Sequence, residues 1–484
     1  MVGRQAEWDH LEDFAASKEP AASLGIIWGR RRVGKSFLLQ SLGEQTGGLY
    51  FGAVRGSSAE ALRELGERIG AYRGSAAPLA LRDWDTAVAA LLALGQERET
   101  VVVLDEYPYL QEHTPGLDSI IQRAFGPRNP GRTSSRTRLI LCGSAMTVMS
   151  RLLSGTAPLR GRAGLDLRVS PFDFRVAREL HGIEDVRTAF RTYAVIGGVA
   201  AYAREMSGGD VPAGPDDFDR WVCRRVLSPA APLFNEVPLL LSEDPATTKA
   251  RKINLYHAAL AGVASGYHAH SGLTKYVKIS GASLAPIMDA LASAELVDRV
   301  QDPIRDNRPT YYPADPLIRF HYTLIRRHQS RLSRHGADTR RVWNHLLPTF
   351  ESQVVGPCFE TVARDWTTHV AAPDVIGGYP DHVGPTTLTL EDGTERQLDV
   401  VVAADDADVA SERTILAIGE AKAGERITER HLHRLQVARS ALGARAAGAK
   451  ILLFAAGHAP EMLAMTARRT DVELIDLERM YGGG

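Results

Sequence analysis

Gly29-Arg30-Arg31-Arg32-Val33-Gly34-Lys35-Ser36 constrains the fold of this chain more than any other stretch. Glycine, four residues, glycine, lysine and serine is the phosphate-binding loop pattern. Leu24-Gly25-Ile26-Ile27-Trp28 before it predicts a short buried strand, and Ser36-Phe37-Leu38-Leu39 opens an apolar helix. A turn between strand and helix points backbone N–H groups and the helix N-terminus at a triphosphate. Gly29 and Gly34 let the backbone approach the phosphates without a Cβ in the way. Lys35 would reach the β- and γ-phosphates, and the Ser36 hydroxyl would hold Mg²⁺. A glycine-rich surface loop is the bland alternative, and the flanking strand and helix speak against it. The chain is expected to bind a nucleotide.

A second motif points to hydrolysis. Glu99-Thr100-Val101-Val102-Val103-Leu104 is an apolar, β-branched run ending in Asp105-Glu106. A parallel strand buried on both faces reads this way, and ligands sit outside its carboxyl end. Asp105 would contact the Mg²⁺ shell, and Glu106 could polarise the attacking water. An acidic pair after a strand can also be a solvated turn; the loop upstream favours catalysis. A third strand, Arg138–Cys142, ends in Gly143-Ser144. Ser144 could sense the γ-phosphate, or cap a helix over Ala145–Met149, or do both.

These elements resemble a known group. Gly3-Arg4-Gln5-Ala6-Glu7 is similar to the element that precedes the loop in AAA-type and STAND-type ATPases. Ala157-Pro158-Leu159-Arg160-Gly161-Arg162, Ser170-Pro171-Phe172 and Tyr193-Ala194-Val195-Ile196-Gly197-Gly198 follow in order. Together they resemble the prokaryotic P-loop ATPases whose C-terminus is the DUF234 nuclease-like domain. That family usually has proline after the Gly-Gly pair; Val199 stands here, which sets this turn apart. The resemblance makes Arg160 and Arg162 candidate γ-phosphate contacts, Arg162 matching the family pattern better. A surface arginine is the alternative for either.

At 484 residues the chain is too long for one core, and three domains is the natural count. Its 57 basic and 58 acidic residues give a net charge of −1, so any nucleic-acid contact must come from local patches. Cys142, Cys223 and Cys358 lie far apart without CxxC spacing. That argues against a zinc site or disulfide framework and fits a reducing cytoplasm. No apolar run approaches about 18 residues, and the acidic N-terminus is not a secretory signal. A cytoplasmic protein without a membrane partner is expected.

The expected class is multidomain α/β. An ATPase core runs over 1–210, a helical lid and winged helix over 211–330, and a basic linker with a restriction-endonuclease-like domain over 331–484. In the middle part, helices are predicted over 254–263, 273–279 and 284–296, the last capped by Ser283, with wing strands over 297–300 and 310–312. A helix that reads bases carries Arg, Lys, Asn or Gln toward the major groove. The third helix has none and carries Asp289 and Glu295, so groove reading is not expected of it. Lys275, Lys278, Arg305 and Arg308 could still meet phosphates. From Arg319 to Arg341 there are seven arginines, three histidines and one acid. Such a run could grip a phosphate backbone; a linker helix packed by Phe320, Tyr322, Leu324 and Ile325 is equally consistent.

The C-terminal part carries a second chemistry. Strands are predicted over 396–402 and 414–422, then helix 428–443, strand 450–454 and helix 459–470. Asp399, twenty intervening residues, then Glu420-Ala421-Lys422 is the PD-(D/E)xK nuclease pattern, and Glu360 on an upstream helix matches that fold's helical glutamate. Glu420 and Lys422 are two apart on a strand and share a face. Asp399 on the neighbouring strand would sit beside Glu420. Glu360, Asp399 and Glu420 would be the metal ligands, since bare carboxylates at close range repel. Lys422 would orient the nucleophile or stabilise transition-state charge. A degenerate, structural domain is the alternative. His257 and His268 are read as ordinary residues.

Three functions follow. The first is an ATP-regulated, Mg²⁺-dependent nuclease acting on nucleic acid, DNA before RNA, suited to defence or to mobile elements. The second is a STAND-type switch whose last domain only binds. The third is a DNA-binding regulator acting through the winged helix, disfavoured by its acidic third helix. A homo-oligomer is implied only if Arg162 acts in trans.

Overall fold

The computed structural model describes residues 2–244, 247, 253–334, 338–424 and 426–483. Two five-stranded sheets organise the chain. The first comprises β1 (Ser23–Trp28), β2 (Leu49–Gly52), β3 (Thr100–Asp105), β4 (Thr137–Gly143) and β5 (Ala163–Arg168). Its order is β2-β3-β4-β1-β5, all parallel. Every residue of β3 and β4 is buried, which is why Val101–Leu104 and Leu139–Cys142 read as unbroken apolar runs. One face packs Ile26, Val102, Leu104 and Leu139 against the helices over 58–72 and 84–93. The other packs Val101, Val103 and Ile140 against Leu38, Leu39 and Leu42 of the Lys35–Thr46 helix. Because β4 separates β1 from β3, the ends of all three strands meet at one edge.

The middle part contains helices Ile253–Ala264, His270–Val277 and Gly281–Ser293, followed by the antiparallel hairpin of β6 (Val297–Val300) and β7 (Thr310–Pro313). All three helices and both strands occur in the expected order, and the second and third helices each begin three residues earlier than expected. The cap differs: Ser280, not Ser283, accepts the Ser283 N–H, and the third helix starts one turn earlier. Leu284, Ile287, Met288 and Leu291 form its buried face.

The second sheet is mixed, in the order β12-β11-β10-β9-β8. It is built from β8 (His382–Thr389), β9 (Glu395–Ala403), β10 (Ile415–Lys422), β11 (Lys450–Ala455) and β12 (Val472–Ile475). Helix Gly356–His369 covers one face and helix Glu429–Ala441 the other. The last predicted helix is shorter than the 459–470 pattern, spanning Pro460–Thr466.

One apolar core runs from Phe174 through the middle helices to Tyr481. Phe190 meets Phe359 edge-on, 5.5 Å between ring centres, and Phe174 meets Tyr481 at 4.9 Å. The divisions at 210 and 330 drawn from the sequence therefore fall within a shared core. The basic run also divides. Phe320, Tyr322, Leu324 and Ile325 are buried, as are Arg319 and His321, so its first half is a packed helix. Arg331 and Arg334 are exposed, and residues 335–337, including His335, lie outside the described residues. No helix among the described residues is long and apolar enough to cross a membrane.

Candidate functional sites

The loop between β1 and the Lys35–Thr46 helix holds the first site. Gly29 is obligatory here, because a Cβ would lie 2.1 Å from the Val169 carbonyl oxygen. Gly34 opens the helix at φ +101°, a conformation that a side chain would strain. Lys35 is buried, and its Nζ donates to the carbonyls of Gly29 and Arg30, each at 2.8 Å. Burial lowers its pKa. To reach a triphosphate the ammonium would exchange these two carbonyls for phosphate oxygens.

The Ser36 hydroxyl donates to Asp105 Oδ2 at 2.7 Å, which joins the loop to the end of β3. Tyr50, at the centre of β2, donates to the same oxygen at 2.5 Å. Burial alone would raise the Asp105 carboxyl; the hydrogen bonds from Tyr50 and Ser36 outweigh it and hold Asp105 below the usual range. Sequence reasoning missed Tyr50, whose position in an apolar strand carries no polar signal.

Glu106 sits in the left-handed region, at φ +54° and ψ +41°. Its carboxylate accepts from Ser144 Oγ at 3.0 Å and lies 3.9 Å from Arg31. Ser144 is thus not the expected helix cap: the Met146–Met149 turn has Ala145 at that position and no side-chain cap. A cavity of about 670 Å³ opens beside these groups, lined by Lys35, Ser36, Glu106, Ser144, Phe172 and Arg204 among others. Arg160 and Arg162 do not line it. Both are exposed, and Arg160 donates to the Gly155 carbonyl. Arg4, Arg31, Arg32 and Arg204 are the arginines that line this cavity, and of these the sequence reading did not single out Arg204.

Two contacts tie the loop to distant parts of the chain. Arg30 is buried and pairs with Asp315 at 2.8 Å, and the Tyr202 hydroxyl donates to the same carboxylate at 3.0 Å. Burial would lower the Arg30 pKa, but Asp315 reverses the direction. The other Asp315 oxygen caps helix Pro316–Phe320. Arg32 pairs with the buried Glu236. Arg4 is buried as well, bridging the Val33 and Ser170 carbonyls while stacking on Phe172.

The second site lies on β9 and β10. Val400 pairs with Gly419, so the next register step sets Asp399 opposite Glu420. Asp399 and Glu420 are both buried, and Asp399 Oδ2 accepts the Ala421 N–H at 3.0 Å. Lys422 Nζ stands 3.4 Å from Asp399 and 3.4 Å from Glu420. Burial opposes its charge, yet Asp399, Glu420 and Glu360 together raise its pKa. Glu360, on the Gly356–His369 helix, is pushed up to about 7 by burial and then by the Asp399 charge. Arg434 from the opposite helix lies 3.5 Å from Glu420 and was not foreseen from the sequence.

The four residues picked out in sequence therefore share one neighbourhood. The expected three-carboxylate metal set is not closed, however: among the described residues no group of three His, Cys, Asp or Glu is gathered tightly enough to hold a metal ion. Lys422 takes the place of counter-charge between Asp399 and Glu420, and Glu360 sits on the helix beyond them. The donors are all hard oxygens, the chemistry that suits Mg²⁺.

No family model matches the chain. An uncharacterized protein of Methanocaldococcus jannaschii is 22% identical over 348 residues, covering 70% of this chain and 72% of the relative. The Walker-type ATPase of Pyrococcus abyssi superposes with a TM-score of 0.50 at 21% identity, covering 66% of this chain and 96% of that one. Its likeness matches the parallel sheet and loop described above. The chain shares its fold with that Walker-type structure, and the parallel first sheet is the part that carries the loop. The ORC2 protein of Aeropyrum pernix is a more distant match, with a TM-score of 0.42 at 13% identity over 72% of this chain and 95% of its own.

Proposed function

We propose that the chain binds and hydrolyses ATP at the Lys35–Asp105–Glu106 site and couples that cycle to a Mg²⁺-dependent nuclease at Asp399, Glu420 and Lys422. The observation that carries the first half is the Ser36–Asp105 hydrogen bond of 2.7 Å, with Glu106 and Ser144 beside the same cavity. Three motifs far apart in sequence meet where a nucleotide triphosphate would lie. Ser36 and Asp105 would hold its Mg²⁺, Lys35 would meet the phosphates, and Glu106, released from Ser144, would polarise water. Phosphoryl transfer asks for positioning and charge stabilisation, and these residues supply both. Arg204 is placed to contact the nucleotide within the same chain, and Arg162 would act only from a neighbouring subunit.

The second half rests on Lys422 Nζ standing 3.4 Å from Asp399 and 3.4 Å from Glu420, with the two carboxylates on adjacent strands. Mg²⁺ held by Asp399 and Glu420, with Glu360 nearby, would offset negative charge on a phosphodiester. Lys422 would orient the nucleophile or stabilise charge in the transition state. The three helices and the β6–β7 hairpin are read as a winged helix serving as a lid. Its third helix, without Arg, Lys, Asn or Gln, does not suit base reading.

A second reading, a nucleotide-dependent switch whose C-terminal domain only binds, is favoured by the open ligand set and by Lys422 already supplying counter-charge to Asp399 and Glu420. Two variants separate these readings. Lys35→Ala should abolish ATP turnover, measured as phosphate release. Lys422→Ala should abolish cleavage of DNA in Mg²⁺; equal behaviour of wild type and Lys422→Ala toward DNA would favour the switch.

A further inference from the structure

A cleft of about 860 Å³ separates the β6–β7 hairpin and the 266–272 turn from the edge formed by β8 and β9. Arg305 and Arg308 line it from the hairpin loop, and among the described residues neither guanidinium has a hydrogen-bond or ion-pair partner. Unpaired cations lining a concave surface form a local field for anions, although the chain as a whole is nearly neutral. Two acids face the same cleft. Asp302 is buried, and its oxygens accept the Ile304 N–H and the Thr386 hydroxyl, whereas Glu395 is exposed at the rim.

The cleft also offers a ring. Tyr267 is 45% exposed beside Tyr276, with ring centres 4.9 Å apart. Deeper in, Tyr312 stacks on His268 at 4.3 Å, and Arg364 lies over the Tyr312 ring. The far end reaches the second site: Gln397 lines the cleft, and its Nε2 donates to Asp399 Oδ1 at 3.4 Å. Arg364, which covers Tyr312, donates to the Asp399 carbonyl oxygen at 3.1 Å.

We infer that this cleft is a binding groove for a single nucleic-acid strand, which Arg305 and Arg308 hold by its phosphates while Tyr267 stacks on a base, leading the backbone to Asp399. The inference rests on the nuclease reading for the identity of the Asp399 site. A single strand is favoured over a duplex because its bases are free to stack on tyrosine, and because the Gly281–Ser293 helix has no side chain suited to reading a major groove. Grooves that track a single strand combine cations that meet its phosphates with aromatic rings on which its bases stack.

The test uses the full chain and a fluorescein-labelled single-stranded oligonucleotide, with anisotropy read over a salt series. Arg305→Ala/Arg308→Ala should weaken binding about tenfold and lower the log K against log salt slope by about 1.4, two single-strand phosphate contacts. Tyr267→Ala should weaken binding about tenfold with the slope unchanged. Melting temperatures should stay within about 2 °C of wild type, since these are surface changes. Unaltered binding in both variants overturns the groove. If Lys422→Ala nevertheless abolishes cleavage, the nuclease reading stands and only the path to it is wrong. Preference for duplex competitor over single strand would equally overturn the proposal.

Discussion

Each of the two sheets gathers a lysine and acidic side chains, and the two sites solve the resulting charge problem differently. Lys35 is buried and bonded to loop carbonyls, while Asp105 accepts from Ser36 and Tyr50. Neutral partners satisfy Lys35 and Asp105 there, and Lys35 would exchange its carbonyls for phosphate oxygens when a nucleotide binds. Lys422 instead stands between Asp399 and Glu420, and Glu360 is pushed up to about 7 beside them. That site balances ion against ion, which makes its geometry answer to whatever charge enters. A loop built from one contiguous motif can be rigid on its own. A site drawn from residues 360, 399, 420 and 422 depends on the packing of a helix against two strands.

The largest test of this contrast lies in the first site. Glu106→Gln should lower ATP turnover by about 10²–10⁴-fold while nucleotide affinity is retained, as steady-state phosphate release and equilibrium binding would show. Retained turnover would mean that Glu106 is only a partner of Ser144. Next is the buried Arg30–Asp315 pair, which links the loop to the helix after β7. Arg30→Ala leaves Asp315 buried and unpaired and should cost about 3–5 kcal/mol, read from chemical denaturation. A loss below about 1 kcal/mol would show that Tyr202 alone satisfies Asp315.

In the second site, Lys422→Ala should reduce phosphodiester cleavage by about 10²–10³-fold. The smallest change is Tyr50→Phe. It removes one of the hydrogen bonds that hold the Asp105 carboxyl down, at about 1–2 kcal/mol. The sign follows from the lowered Asp105 pKa. Its stabilisation is present above the unfolded-state value and is lost as pH falls through the folded one. Wild type should therefore lose more stability than Tyr50→Phe on acidification, checked by melting temperature across pH 3 to 7, about the range where carboxylates titrate.

What could be read from the sequence depended on how locally each feature is encoded. The Gly29–Ser36 loop, the Asp105-Glu106 strand end and the β9–β10 pair were legible because strand periodicity and loop chemistry act over a few residues. Tyr50, Arg204 and Arg434 were not, because nothing local distinguishes them from strand and surface residues of ordinary type. Arg30 and Asp315 lie 285 residues apart, so their pairing belongs to the packing alone. The Ser280 cap was missed by one turn because Ser280 and Ser283 are both good capping residues and only the start of the apolar face separates them. Arg162 was carried by resemblance, and the fold leaves it in solvent, away from the cavity.

The central proposal is that the ATP cycle at Lys35, Asp105 and Glu106 governs cleavage at Asp399, Glu420 and Lys422. The most direct measurement is single-turnover cleavage of a labelled strand in Mg²⁺, with and without ATP, by wild type and by Glu106→Gln. The account predicts that ATP changes the cleavage rate of wild type and that Glu106→Gln, which holds ATP without turnover, stays fixed in the ATP-bound rate. Identical rates with and without ATP in both proteins would contradict the coupling.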